Sequence, residues 1–320
     1  DTLGGRIMLL LSVKALTSEN YELLSSYGID VVTPDTITAN QIADIMISYG
    51  WDNAIGEKIL ADPNAKLKWI QAQSAGVDYL PLSLLKARGI TVTNASGLKA
   101  LPIAQTVLSY ILYFARGLNV YATRKHWEPF TNQYLINELP VLIFGTGRIG
   151  KQIASHIKAF GGTVYGVNTS GRAVPGFDAV YPISNYQAGL AKARVVVDGL
   201  PGTADTADFF DTRFFEQVNQ LFLFINIGRG TTLDQEALLS AIDDSRVKFA
   251  ALDVTTPEPL PKNHPLFERH QILLTQHTSW GEHVNAGRTG GLFRLFEQNL
   301  TSFVNDGSFK QNVVNLDKGY

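Results

Sequence analysis

Short apolar runs alternate with amphipathic stretches twice along this chain. In the N-terminal part the runs Ile7–Val13, Val31–Thr33, Ile45–Ser48, Leu67–Gln71 and Ile90–Thr93 predict strands. Segments between them, such as Glu19–Tyr27 and Leu82–Arg88, carry helical spacing. Strands alternating with helices predict βαβ units and a parallel sheet. A long apolar stretch, Leu101–Tyr121, follows, with Pro102 in its first turn where a missing N–H costs little. Its apolar residues exceed one stripe, so the predicted helix packs on two sides. From Val141 the alternation resumes with VLIFG, TVYGVN, ARVVVDGL, LFLFINI, FAALDV and ILLTQ, each a near-continuous apolar run as expected of strands covered on both faces. A last helix is expected near Gly290–Asn305.

The pattern predicts an α/β chain of two doubly wound parallel-sheet domains. A Rossmann domain, residues 100–284, is expected to be inserted into a flavodoxin-like domain formed by residues 1–99 and 285–320. The chain is expected to cross between them near Gly97–Leu101 and again near Glu282–Gly287.

Composition narrows the function classes. With 320 residues, 45% of them hydrophobic, there is material for two sizeable cores. A net charge of −2 argues against a nucleic-acid or anionic-membrane partner. The absence of cysteine excludes disulfides, thiolate catalysis and cysteine-based metal sites, and fits a cytoplasmic protein. No metal site is expected. The start, DTLGGRIMLLLSV, lacks a basic n-region and reads as a buried strand rather than a signal peptide.

The chemistry begins at GTGRIG, residues Gly145, Thr146, Gly147, Arg148, Ile149 and Gly150, between an apolar run and an amphipathic helix. The first glycine permits the tight turn, the second lets backbone approach a pyrophosphate, and the third lets helix and strand pack closely. An anion is favoured at the helix N-terminus that follows. At the end of the next strand, where NAD enzymes place an acidic residue for the ribose, stands Asn168, followed by Thr169, Ser170 and Arg172. A neutral residue, two hydroxyls and a guanidinium suit a 2′-phosphate, so NADP is expected to be preferred, with NAD also accepted.

Three residues beyond strand ends complete the set. Arg229, between two glycines, offers a fork for a carboxylate. His277, in LLTQHTSW, offers a proton. Glu258, in a proline-stiffened loop, offers a carboxylate that favours the charged imidazole and selects its tautomer. Earlier, Gln73–Asp78 with Gly76 and Val77 is a small-residue turn able to present amides to an anion. Each also has a plain reading: a structural turn, a helix-capping arginine, a satisfied polar histidine, an ordinary loop acid.

Together SAGVDYLPL, TNASGLKALPIAQ, VLIFGTGRIG, VVVDGLPGTADT, FINIGRGTTLDQEALLSAI, AALDVTTPEPLPKNHPLF and LLTQHTSW resemble the D-isomer-specific 2-hydroxyacid dehydrogenase family over nearly the whole chain. The resemblance implies that Arg229, Glu258 and His277 form the catalytic trio. It makes the Gly76–Val77 amides a contact for the substrate carboxylate and Asp253 a contact for the nicotinamide carboxamide. Leu200, Pro201, Thr203, Ile227, Gly228, Arg229 and His277 become neighbours of the cofactor. The chain departs from the family at Gln276, usually proline, at Gln105, often glutamate, and at Asn168, usually acidic.

The expected activity is reduction of a small 2-keto acid to the D-2-hydroxy acid, by a homodimer joined through Leu101–Tyr121 of the cofactor domain. A phosphoglycerate- or formate-type dehydrogenase of the same fold, or a dinucleotide-sensing corepressor-like protein, are the rivals. A sensor needs no proton donor.

Overall fold

A computed structural model describes residues 8–77, 79–281 and 290–317. Ile7 of the first expected strand, Asp78, His283 and the second expected crossing at Glu282–Gly287 lie outside the described residues. The chain divides into two compact units, Asp1–Leu98 with Glu282–Tyr320, and Lys99–Gly281.

Among the described residues the first unit holds five parallel strands, β1 (Met8–Ser12), β2 (Ile29–Val32), β3 (Ile45–Tyr49), β4 (Trp69–Gln71) and β5 (Thr91–Thr93), in the order β2-β1-β3-β4-β5. This is the flavodoxin-like order. The C-terminal helix, Gly291–Asp306, completes one side of this sheet. Its Phe296 stacks on Trp69 with ring centroids 4.8 Å apart, and both rings are fully buried. Gly307, with φ 77°, ends the helix in the left-handed conformation that glycine adopts without strain.

The second unit carries seven parallel strands: β6 (Val141–Phe144), β7 (Val164–Asn168), β8 (Ala179–Pro182), β9 (Val195–Asp198), β10 (Leu221–Asn226), β11 (Val247–Leu252) and β12 (Ile272–Leu274). Their order is β12-β11-β10-β9-β6-β7-β8, the doubly wound arrangement with one added strand. Successive residues feed opposite cores. Leu142, Phe144, Val196 and Phe224 enter one, while Val141, Ile143, Val195 and Ile225 enter the other. Burial on both faces explains the continuous apolar runs. No helix among the described residues is long and apolar enough to cross a membrane.

Two expectations need correction. Six strands are expected in this unit and seven are present; the additional one, β8, is an edge strand with every residue only half-buried. Paired on one side only, AVYP has no need of a continuous apolar run. The helix expected over Leu101–Tyr121 is in fact two, Ala100–Ala115 and Leu118–Tyr121. Gly117 breaks it at φ 67°, and a side chain there would place its Cβ 2.3 Å from the Phe130 ring.

Candidate active site

The fingerprint turn joins β6 to the helix Arg148–Ala159. Each of its glycines meets a separate constraint. Gly145 has φ 103°, and a Cβ there would lie 3.0 Å from the Gly199 carbonyl. At Gly150 a Cβ would stand 2.0 Å from the Gly145 carbonyl, so helix and strand pack closer than alanine allows. At Gly147 nothing lies within 4 Å, which leaves open space at a helix N-terminus that no side chain caps. Backbone amides facing open space with a favourable dipole suit a pyrophosphate. The described residues of this turn therefore fit a dinucleotide.

The loop leaving β7 is held by Asn168. Its amide donates to the Arg172 carbonyl at 2.9 Å and to Thr146 Oγ1 at 3.2 Å, while its oxygen accepts from the Gly171 amide at 2.7 Å. Asn168 is thus a brace, and Thr169, Ser170 and Arg172 are the exposed groups of the loop.

Beyond the neighbouring strands β10, β11 and β12 stand Arg229, Glu258 and His277. Because these strands are parallel, the three loops emerge at the same sheet edge. His277 Nδ1 and Glu258 Oε2 are 2.8 Å apart. The second Glu258 oxygen accepts from the Thr255 amide at 2.9 Å, which orients the carboxylate. A cavity of about 400 Å³ opens beside the pair, lined among others by Leu252, Leu260, Phe267 and Gln276.

The turn that bears His277 is organised by Asp253, which is buried at the end of β11. Its carboxylate accepts from Thr275 Oγ1 at 2.7 Å, the Thr278 amide at 2.9 Å, the Ser279 amide at 3.1 Å and Ser279 Oγ at 2.5 Å. Four donors fill the acceptor capacity of a carboxylate. Thr275 is in turn 2.5 Å from the Tyr110 hydroxyl, on the long helix. Burial pushes the Tyr110 phenol well above its ordinary range, so it stays protonated and donates. Trp280 Nε1 donates to the His277 carbonyl at 2.9 Å, and the Lys99 ammonium sits 4.7 Å from the Trp280 ring. Gln276 and His277 both have positive φ, 57° and 60°. Proline cannot adopt that angle, so glutamine before the histidine is consistent with this turn.

Arg229 makes no hydrogen bond to the pair among the described residues. Its Nη1 donates to the Gly228 carbonyl at 2.7 Å, and its Cγ packs at Gly202. Its loop is nevertheless locked to the Glu258 loop. A Cβ on Gly230 would fall 1.9 Å from the Thr255 carbonyl, and Gln235 exchanges hydrogen bonds of 2.8 and 3.0 Å with the Thr256 backbone. Sequence reading singles out neither Gly230 nor Gln235. The doubled glycine of GRG is the signal for the first, and nothing local marks the second. Gly76 and Val77 belong to the other unit, where Val77 is buried and the Ser74 hydroxyl donates to the Gly76 carbonyl at 2.7 Å.

Residues 108–279 match the family model described as D-isomer specific 2-hydroxyacid dehydrogenase, NAD binding domain. A glyoxylate reductase/hydroxypyruvate reductase of Mus musculus is 32% identical over 234 residues, 70% of each chain. A phosphoglycerate dehydrogenase structure from Lactobacillus plantarum is 36% identical, with TM-score 0.60, and covers 96% of this chain and 100% of its own. A D-isomer specific 2-hydroxyacid dehydrogenase family protein from Aeromonas salmonicida is 29% identical, with TM-score 0.68 over 98% of this chain and 100% of its own.

Proposed function

Because the chain belongs to the D-isomer-specific 2-hydroxyacid dehydrogenase family, we propose that it reduces a small 2-keto acid to the D-2-hydroxy acid with NADPH as preferred donor. The observation that carries this reading is the 2.8 Å contact of His277 with Glu258 at the sheet edge that also bears Arg229. A sensor has no use for an oriented proton donor.

A nicotinamide dinucleotide supplies the hydride when bound. The residues of the chain do the rest. Arg229 receives the substrate carboxylate through its planar fork. Glu258 takes the Nδ1 proton side of His277, which leaves Nε2 to hand a proton to the carbonyl oxygen as that oxygen becomes a hydroxyl. Asp253 and Tyr110 keep the His277 turn in place. The resemblance assigns Gly76 and Val77 to the substrate carboxylate, and that assignment is part of the proposal. Arg172, Thr169 and Ser170 are the groups offered to a 2′-phosphate. The test is a spectrophotometric screen of glyoxylate, hydroxypyruvate and pyruvate against NADPH and NADH. Oxidation of NADPH by at least one of them is expected, and no turnover with any keto acid and either cofactor overturns the reading.

The same proposal includes a homodimer. On the helix Ala100–Ala115 the residues Leu101, Leu108, Leu112 and Tyr113 are half-buried, and Leu118, Tyr121, Leu135 and Trp127 beyond it are exposed, the last to 98%. Large exposed apolar side chains such as these are what a second copy would cover. Sedimentation at micromolar concentration should give twice the 35.1 kDa chain mass, through an interface on the order of 2,000 Å². Trp127→Glu should shift the protein towards the monomer. A monomeric wild type refutes this part.

A further inference from the structure

Asp198 ends β9, at the centre of the seven-stranded sheet, and is fully buried. Catalysis as described does not use it. Its Oδ1 accepts from the Leu200 amide at 2.9 Å, and Leu200 begins the segment assigned to the cofactor. Its Oδ2 is hydrogen-bonded to Thr232 Oγ1, itself fully buried. That same hydroxyl lies 2.7 Å from the backbone carbonyl of Arg229. Asn226 fastens the other side of this turn, donating to the Arg229 carbonyl at 3.0 Å and accepting from the Gly228 amide at 3.0 Å.

The hydroxyl of Thr232 has one proton and faces two acceptors. With Asp198 ionised, either the Arg229 carbonyl loses the threonine or the carboxylate meets its lone pairs. With Asp198 protonated the conflict disappears. The carboxyl O–H donates to Thr232 Oγ1, and the threonine proton goes to the Arg229 carbonyl.

We propose that Asp198 is a positioning residue for Arg229, whose carboxyl, through the Thr232 hydroxyl, holds the substrate-binding turn when protonated and releases it when ionised. This rests on Arg229 being the carboxylate ligand of the reaction proposed above. Burial pushes the Asp198 carboxyl up to about 7, with the Thr232 and Leu200 hydrogen bonds opposing it. The groups facing the carboxyl are the Leu200 amide beyond β9, Asn226 opposite it at the end of β10, and the Gly228 position and Thr232 from the turn that follows. Arg229 is the charged side chain on that turn, and its guanidinium is turned to the Gly228 carbonyl.

The test compares wild type with Asp198→Asn, Thr232→Val and Thr232→Ser. In Asp198→Asn the amide oxygen accepts from Leu200 and the amide nitrogen donates to Thr232, which reproduces the protonated pattern at every pH. Losing one neutral hydrogen bond is worth roughly tenfold. KM for the keto acid should therefore rise about tenfold in the wild type between about pH 6 and about pH 8.5, and stay flat in Asp198→Asn, while kcat keeps the wild-type pH profile. Thr232→Val should show the high KM at every pH, and Thr232→Ser should behave as wild type. A KM in Asp198→Asn that still rises like the wild type's overturns the proposal.

Melting temperatures give a readout that needs no activity. A carboxyl whose folded pKa is about 7 against an ordinary 3.8 takes up a proton on folding. Its contribution is complete below the lower value and is lost as pH rises through the higher one. The melting point of Asp198→Asn relative to wild type should thus climb over that window and then level off. Parallel curves overturn the proposal even where turnover is seen. An inactive wild type with diverging curves instead overturns the reductase reading alone.

Discussion

His277→Ala is expected to lower keto acid reduction by roughly 10²–10⁴-fold, the usual worth of a positioned general acid. Cofactor affinity should stay largely intact, because the fingerprint turn and the loop after β7 do not touch the imidazole in any contact described above. The expected size follows from how much of the surroundings is devoted to this ring. Glu258 holds Nδ1, Thr255 holds Glu258, and Asp253 holds the turn through four donors. Glu258→Gln keeps a hydrogen-bonding oxygen near Nδ1 but removes the carboxylate that orients the ring, so it should fall between wild type and His277→Ala. Arg229→Ala should lower kcat/KM strongly, since in the proposed reaction the guanidinium both binds and orients the substrate. Single-turnover kinetics with NADPH in excess separate these effects from cofactor binding. Turnover by His277→Ala close to that of the wild type would remove the histidine from the mechanism.

Arg172→Ala should weaken NADPH while leaving NADH almost untouched. A hydrogen bond to a charged group contributes about 1.5–3 kcal/mol, which is roughly 10- to 150-fold in affinity. Arg172 is exposed on the loop that follows β7, and the hydroxyls of Thr169 and Ser170 stand beside it in the chain. Asn168→Asp should act from the opposite side by repelling the 2′-phosphate. The structure adds a second cost to that change. Aspartate keeps the acceptor for the Gly171 amide but loses the donor to the Arg172 carbonyl, so the loop itself loosens. Measuring kcat/KM for both cofactors in wild type and both variants decides the matter. Equal losses for NADPH and NADH in Arg172→Ala would show that the loop does not read the phosphate.

Much of this was legible in the sequence because it depends on local rules. An interior parallel strand needs apolar residues on both faces, and VLIF and LFLFIN show it. A tight turn under a helix needs glycine, and Gly145 and Gly150 show that. What depends on distant partners was not legible. The edge strand β8 lacks the apolar excess of its neighbours, because one side of it pairs with nothing. The break at Gly117 depends on Phe130, thirteen positions further on and invisible to helical periodicity. Asp198 and Thr232 read as an ordinary strand end and an ordinary turn residue, and only the fold brings their side chains together. Asp253 stood out through its likeness to a family motif, yet its four donors from residues 275–279 could not be foreseen from spacing.

The absent side chain at Gly230 bears on how such an enzyme can be altered. Any residue larger than glycine there must displace the backbone at Thr255, three positions before Glu258. The loop that carries Arg229 and the loop that carries Glu258 therefore inherit each other's changes. A library that varies residues 228–231 to accept bulkier acids would lose members through slow chemistry as well as poor fit. Diversifying residues 255–257 in the same library, with Glu258 kept, gives those members a route back.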